Sequence, residues 1–315
     1  MTIRPNPTTH LLFSKHSPWL LLLITIGVTM VGFQFIGAFL GIMIAFPFYP
    51  GDMEMFIQAM LDPTSDENMR TPFLIMQGIG SSIGFILLPW LLLKYYYKGQ
   101  LDDFSSSKTN GPLIFLTVFI ALFFMGVNAP FIEWNQNFIF PEALAGLEEK
   151  LKALEDTLAE TSAFITNFDS IGQLMLGLIV VAVIPGIGEE FVFRGLVQNH
   201  VYGISKNIHV AIWLGALLFS LFHLQFYGLV PRMLLGAMFG YLYYFSGNII
   251  YPMVAHFFNN GFTLVMLYLF QQNMVDYNIE DTEVLPWFQV IFSALITLVL
   301  FFVFIRTAKQ KLVDE

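Results

Sequence analysis

This 315-residue chain reads as an all-α protein, a polytopic transmembrane bundle of about eight helices, on three observations. Charged residues make up 12% of it and apolar residues (AVILMFWYC) 56%, with 35 phenylalanines. A soluble domain carries about 25% charged residues to cover its surface. Mean hydropathy is +0.68, and apolar runs of about 18 residues or more, long enough to cross a bilayer, recur along the chain. The composition argues against a cytosolic enzyme or a disordered chain, and the formal net charge of −9 against a basic nucleic-acid binder. Cysteine is absent. That removes disulfides, thiolate zinc sites, cysteine nucleophiles and cysteine lipidation.

The first run, 18–47, is too long for the apolar region of a signal peptide and no A-x-A signature follows it, so it reads as a retained helix. Runs at 71–93 and 112–132 give the second and third. The fourth spans 171–203; Pro185, Gly186 and Gly188 interrupt it, which predicts one long kinked helix. Runs at 209–227, 229–246, 249–271 and 286–306 complete the eight. Between the third and fourth, Leu144, Leu147, Leu151, Leu154 and Leu158 recur at helical spacing among charged residues. That segment, 133–170, is expected to be an amphipathic helix capping the outer face, with a substrate gate as the alternative. Gly37/Gly41, Gly80/Gly84 and Gly236/Gly240 are small-residue pairs expected to pack helices within the bundle.

Threading eight spans from a cytoplasmic N-terminus places Arg4, Lys15, Lys94, Lys98, Lys108, Lys206, Arg306, Lys309 and Lys311 inside. The loops 48–70, 133–170 and 272–285 then fall outside with most of the acids, Glu280, Asp281 and Glu283 among them. Both termini are therefore expected on the cytoplasmic side. Four parts follow: helices one to three (1–132), the acidic extracytoplasmic segment (133–170), a catalytic core (171–271), and a last loop, helix and tail (272–315).

Ionisable groups in a span cost about 2.5–3.5 kcal/mol each at mid-helix. Here they cluster in three apolar stretches: Glu189-Glu190-Phe-Val-Phe-Arg194, Phe219-Ser-Leu-Phe-His223 and His256-Phe-Phe-Asn259-Asn260. Glu190 and Arg194, at i,i+4, lie about 40° apart around a helix and form an ion pair, whereas Glu189 lies about 140° from Arg194 and remains available as a base. Glu189 precedes the turn near Lys206 by 17 residues and His223 follows it by 17, so a helical hairpin sets them at equal depth. His256 and Asn260 share one helix face, but His256 matches that depth less well from a turn near Gly247. The set holds a base, imidazoles for proton transfer or metal binding, and donors for an oxyanion. His10, His16, His200 and His209 fall near expected ends or loops and receive no role. No H-E-x-x-H or P-loop is present, so the soluble zincin and NTPase templates fail, and neither nucleotide nor nucleic acid is expected as a partner.

At these residues the chain resembles the CPBP family of intramembrane peptidases, which includes CAAX prenyl endopeptidases and bacteriocin-related Abi proteins. The family pattern E-E-x-x-x-R, F-x-x-x-H, H-x-x-x-N is matched in order by Glu189-Glu190…Arg194, Phe219…His223 and His256…Asn260. The resemblance implies an intramembrane endopeptidase acting on a membrane-associated protein or peptide, in a bacterial cytoplasmic membrane. It implies that Glu189 and His223 activate water, that His256 and Asn260 stabilise the oxyanion, and that Glu190 and Arg194 support the site. Two other classes remain: an ion-coupled transporter using the buried Glu and His residues, and a catalytically silent immunity or scaffold protein on the same fold.

The metalloprotease label often attached to the family raises a metal question. Glu189, His223 and His256 form a candidate His₂Glu zinc set with one position open for water. The metal-independent mechanism is favoured, because Asn260, a poor zinc ligand, shares the face of His256 and no i,i+4 histidine pair is present.

Overall fold

The computed structural model describes residues 17–279 and 285–314, and these are helical with no strand beyond an isolated bridge between Ser105 and Asn248. Arg4, His10, Lys15, His16, Glu280, Asp281 and Glu283 lie outside the described residues. Ten helices matter to the argument. They are α1 Pro18–Phe48, α2 Met53–Leu61, α3 Glu67–Tyr97, α4 Gly111–Gln136, α5 Ala145–Thr166, α6 Ile171–Ser205, α7 Ile208–Leu221, α8 Leu229–Ser246, α9 Ile250–Gln271 and α10 Trp287–Asp314. Six of them, α1, α3, α4, α6, α9 and α10, are long and apolar enough to cross a membrane. The shorter α7 and α8 form a hairpin beside them; the sequence reading counted both as spans, whereas six helices of the described residues meet the length and hydropathy of one. Along α10, Phe288, Ile291, Phe292, Leu295, Leu298 and Phe302 are exposed. Such a face suits lipid and not water. The chain is an integral membrane protein.

Local sequence sets the ends. Asn110 caps α4, Ser170 caps α6 and Asn207 caps α7, each side-chain oxygen accepting a backbone N–H of the first turn. Lys206 ends α6 and Gly247 ends α8 in left-handed conformation, with φ of 55° and 63°. The glycine pairs pack helices internally. A Cβ at Gly37 would lie 2.6 Å from the Gly80 Cα, so α1 and α3 touch backbone to backbone.

The interrupted fourth helix is one continuous element. α6 contains two wide, π-type turns, at Leu178–Val183 and Phe191–Val197, the first ending two residues before Pro185 and the second starting immediately after Glu190. α6 runs through the middle of the bundle. It packs on α1, α3 and α7 through Leu22, Phe85, Val192, Phe193, Val197 and Phe219. On the far side, α4, α8, α9 and α10 share a core of Leu113, Ile120, Phe239, Tyr251 and Phe304.

The α8–α9 turn explains why His256 mismatched the expected depth. Ser246 and Asn248 are buried, because the segment joining α3 to α4 folds over them. Ser106 N–H donates to the Gly247 carbonyl (2.7 Å), the Asn248 amide to the Ser107 carbonyl (2.7 Å), and Ile249 N–H to the Phe104 carbonyl (3.2 Å). The turn thus lies beneath a loop that buries Ser246, Asn248 and Ile249, while Ile250 at the start of α9 is exposed. His256, six residues into α9, can then meet the middle of α6.

α5 is the expected amphipathic helix, but its leucine stripe is only partly covered. Leu144, Leu147 and Leu154 are exposed, and burial is confined to its last turn at Ile165 and Thr166. That end is held by Arg70, whose guanidinium pairs with Asp169 and donates to the Phe164 carbonyl. Its middle touches the α7–α8 turn, where Glu155 accepts Tyr227 N–H at 3.3 Å.

Candidate active site

The two adjacent glutamates separate as helix phase requires. Glu190 is fully buried, and its Oε1 accepts hydrogen bonds from Arg194 Nη1 at 2.7 Å and from His256 Nδ1 at 2.8 Å. Arg194 also donates to the Gly236 carbonyl of α8 at 2.9 Å. One carboxylate therefore ties α6 to α9, and its arginine ties α6 to α8. Gly186 makes the approach of α9 feasible, since a Cβ there would sit 3.1 Å from the Phe257 backbone nitrogen.

Glu189 faces away from that network. Its side chain is 16% exposed, and its Oε2 has no hydrogen-bond partner among the described residues. The nearest cationic candidate is His256 Nε2 at 3.9 Å, beyond direct hydrogen-bond distance and in the range that one water bridges. With Nδ1 engaged on Glu190, His256 turns its other nitrogen toward Glu189.

The phenylalanine of the F-x-x-x-H stretch has a physical task. The Phe219 ring lies edge-on to His223 (5.1 Å) and to His256 (5.9 Å), and the Arg194 guanidinium sits 4.6 Å from its centre. Phe239 stacks on His256 from another side, at 5.1 Å. These rings shield the ion pair and fix the imidazole planes.

His223 differs from expectation. The sequence placed it inside a helix covering 209–227, but α7 ends at Leu221 and His223 occupies the following turn, next to Leu224 at a φ of +56°. The break is dominated by Phe222, Leu224, Phe226 and Tyr227, with Gln225 and Gly228 its only non-apolar members besides His223, which is why the run looked continuous. His223 Nδ1 is 3.0 Å from the Phe219 carbonyl; donating to it leaves Nε2 with the lone pair. No hydrogen bond or ion pair joins it to Glu189. It reaches the cluster through the Phe219 ring.

Asn260 is held by a backbone defect. Its amide donates to the Val181 carbonyl at 2.9 Å, the group whose i+4 partner is Pro185, a residue with no N–H. Its oxygen accepts from Asn259 at 3.1 Å, so the amide orientation is fixed and one N–H remains to be used.

As to zinc, Glu189, His223 and His256 are not gathered as a ligand set: among the described residues no three His, Cys, Asp or Glu groups converge to hold a metal ion. His200, given no role from sequence because it seemed to lie near a helix end, is instead completely buried and bonded to Thr25 Oγ1 at 3.1 Å. The residue that sequence reading passed over is Arg232 in the first turn of α8, half-buried beside the His223 turn. A lone cation inside an apolar run was the available signal.

Residues 171–262 match the family model for the type II CAAX prenyl endopeptidase Rce1-like proteins, a segment that holds all three motifs. No curated protein and no solved structure gives a match.

Proposed function

Starting from a CAAX-protease-type intramembrane peptidase core at 171–262, we propose that the chain hydrolyses a peptide bond of a membrane-associated protein or peptide with water activated by Glu189 and His223. The observation that carries the reading is the division between the two carboxylates. Glu190 is consumed by Arg194 and His256, while Glu189, one residue away on a side chain 16% exposed, keeps a buried oxygen with no hydrogen-bond partner among the described residues.

In this mechanism Glu189 takes a proton from water as the oxygen attacks the scissile carbonyl. His223 assists through the lone pair on Nε2. The carbonyl oxygen becomes an oxyanion, which accepts hydrogen bonds from the second Asn260 N–H and, in the imidazolium form, from His256 Nε2–H. Collapse of the tetrahedral species breaks the C–N bond, and the proton held by Glu189 passes to the leaving amine. Glu190 and Arg194 do not touch substrate; they hold His256 in register. The bilayer and a peptide substrate are the partners, the site lies in a bacterial cytoplasmic membrane, and both termini face the cytoplasm.

The test is cleavage of a quenched fluorescent peptide library by purified protein in nanodiscs. Glu189→Gln should lower the rate about 10²–10⁴-fold, the usual worth of a general base, with an unchanged melting temperature. Full activity in that variant would refute the assignment. Exhaustive chelation followed by metal add-back, with elemental analysis, tests the metal-independent form: activity should survive chelation.

A further inference from the structure

Three arginines are buried or half-buried in this bundle, and two have carboxylate partners. Arg70 pairs with Asp169 and Arg194 with Glu190. Among the described residues Arg232 has none. Its guanidinium donates to Gln225 alone, to the side-chain oxygen at 2.5 Å and the backbone carbonyl at 3.5 Å. Those contacts use a minority of its five N–H donors. Glu155 and Glu189 act on it only through space, so a half-buried guanidinium with no carboxylate in direct contact keeps donors free for an arriving anion.

The surroundings hold Arg232 in place. The Asn135 side chain of α4 donates to the Phe226 carbonyl (3.1 Å) and accepts Val230 N–H (2.8 Å), and Asn128 donates to the Pro231 carbonyl (3.1 Å). The turn before Arg232 is thereby pinned on both flanks. The guanidinium lies across Gly228, where a Cβ would fall 2.5 Å from Nη2. Only glycine leaves that space. The group is within electrostatic reach of Glu189 and His223 on one side and of Glu155 of α5 on the other.

We propose that Arg232 is a carboxylate-binding residue of the active site, which takes an anionic group of the peptide beside the scissile bond. This rests on the peptidase reading above. A planar guanidinium with unused parallel donors suits a carboxylate in bidentate geometry. A peptide offers carboxylates from two sources, its C-terminus and its Asp or Glu side chains.

The experiment uses the full chain in nanodiscs and a peptide selected from the library for cleavage that Glu189→Gln abolishes. That peptide is compared as the free C-terminal acid, as the C-terminal amide, and with each Asp or Glu replaced by its amide counterpart. Neutralising the recognised carboxylate should raise KM about 10- to 150-fold, the range for a charge-assisted hydrogen bond, with kcat little changed. Which neutral peptide shows the rise names the source. Arg232→Gln should erase the difference between charged and neutral forms, and Arg232→Lys should restore part of it. Gly228→Ala keeps the arginine but displaces its guanidinium, so it should mimic Arg232→Gln while the melting temperature reports that the fold survives. Peptide binding to Glu189→Gln, read by fluorescence anisotropy, should give the same ordering without turnover. Equal KM for all peptide forms, or undiminished discrimination in Arg232→Gln and Gly228→Ala, would overturn the subsite and leave the peptidase intact. If no peptide is cleaved in a Glu189-dependent way, the peptidase reading falls and the subsite with it.

Discussion

Replacing Glu190 by Gln removes the charge that Arg194 and His256 share through one oxygen, so the loss is felt on α6, α8 and α9 together. Breaking a buried pair costs about 3–5 kcal/mol in soluble proteins. Glu190→Gln should therefore lower the unfolding free energy in detergent by that order, while Glu189→Gln leaves it unchanged; equal losses would contradict the division between them. Asn260 permits a finer test. Asn260→Ala leaves the Val181 carbonyl without its side-chain donor, at a cost of about 1–3 kcal/mol. Adding Pro185→Ala returns a backbone N–H at the i+4 position, so the double variant should regain stability but not activity. Much of this was legible from residue types and helix phase: the Glu190–Arg194 pair, and a Glu189 turned away from it, follow from the 100° step of a helix. The Pro185–Asn260 relation was not, because it joins a missing donor on one helix to a side chain 75 positions away.

At the scale of the element, the helix periods located the spans but not their irregular turns. Two π-type turns in α6 look like ordinary apolar helix in sequence, since hydrophobic spacing does not register one added residue. The end of α7 was hidden in the same way by aromatic residues. α5 offers a prediction with a defined sign. Lys152, hydrogen-bonded to Glu148 at 2.7 Å, holds that carboxyl below its usual range, aided by Phe140 N–H. A depressed folded-state pKa contributes stability that is complete above the unfolded value and lost as pH falls through the folded one. The contact between 140 and the start of α5 should thus persist at neutral pH and loosen only below the ordinary carboxylate range. Limited proteolysis across 138–150 as a function of pH would show cleavage rising at the acid end. Glu148→Gln should be cut readily at neutral pH.

For the whole molecule, the distribution of charges predicted a topology that labelling can read. The chain has no cysteine, so single cysteines at Lys98, Glu155 and Lys309 give an unobstructed test. Impermeant thiol reagent applied outside intact cells should modify position 155 and spare the other two. Modification at 98 in place of 155 would reverse the bundle. Internal packing is also testable at this scale: Gly37→Leu forces apart the α1 and α3 backbones, which now meet at 2.6 Å from a virtual Cβ. Overpacking of this kind costs about 1–3 kcal/mol or more, and the melting temperature should fall accordingly.

The loop folded over the α8–α9 turn has a consequence for the order of assembly. Ser106 and the Gly247 carbonyl it binds are separated by 141 positions, so a chain made from its N-terminus exposes one half of this joint long before the other exists. Throughout synthesis of α4 to α8, the donors around Ser105, Ser106 and Ser107 must be satisfied by water. Closure comes only when residues 246–249 emerge, and that same event sets the starting level of α9 and brings His256 to Glu190. The Glu190–His256 contact of the candidate site is therefore completed by a late, long-range docking step, and a nascent chain halted before α9 has neither the joint nor that contact.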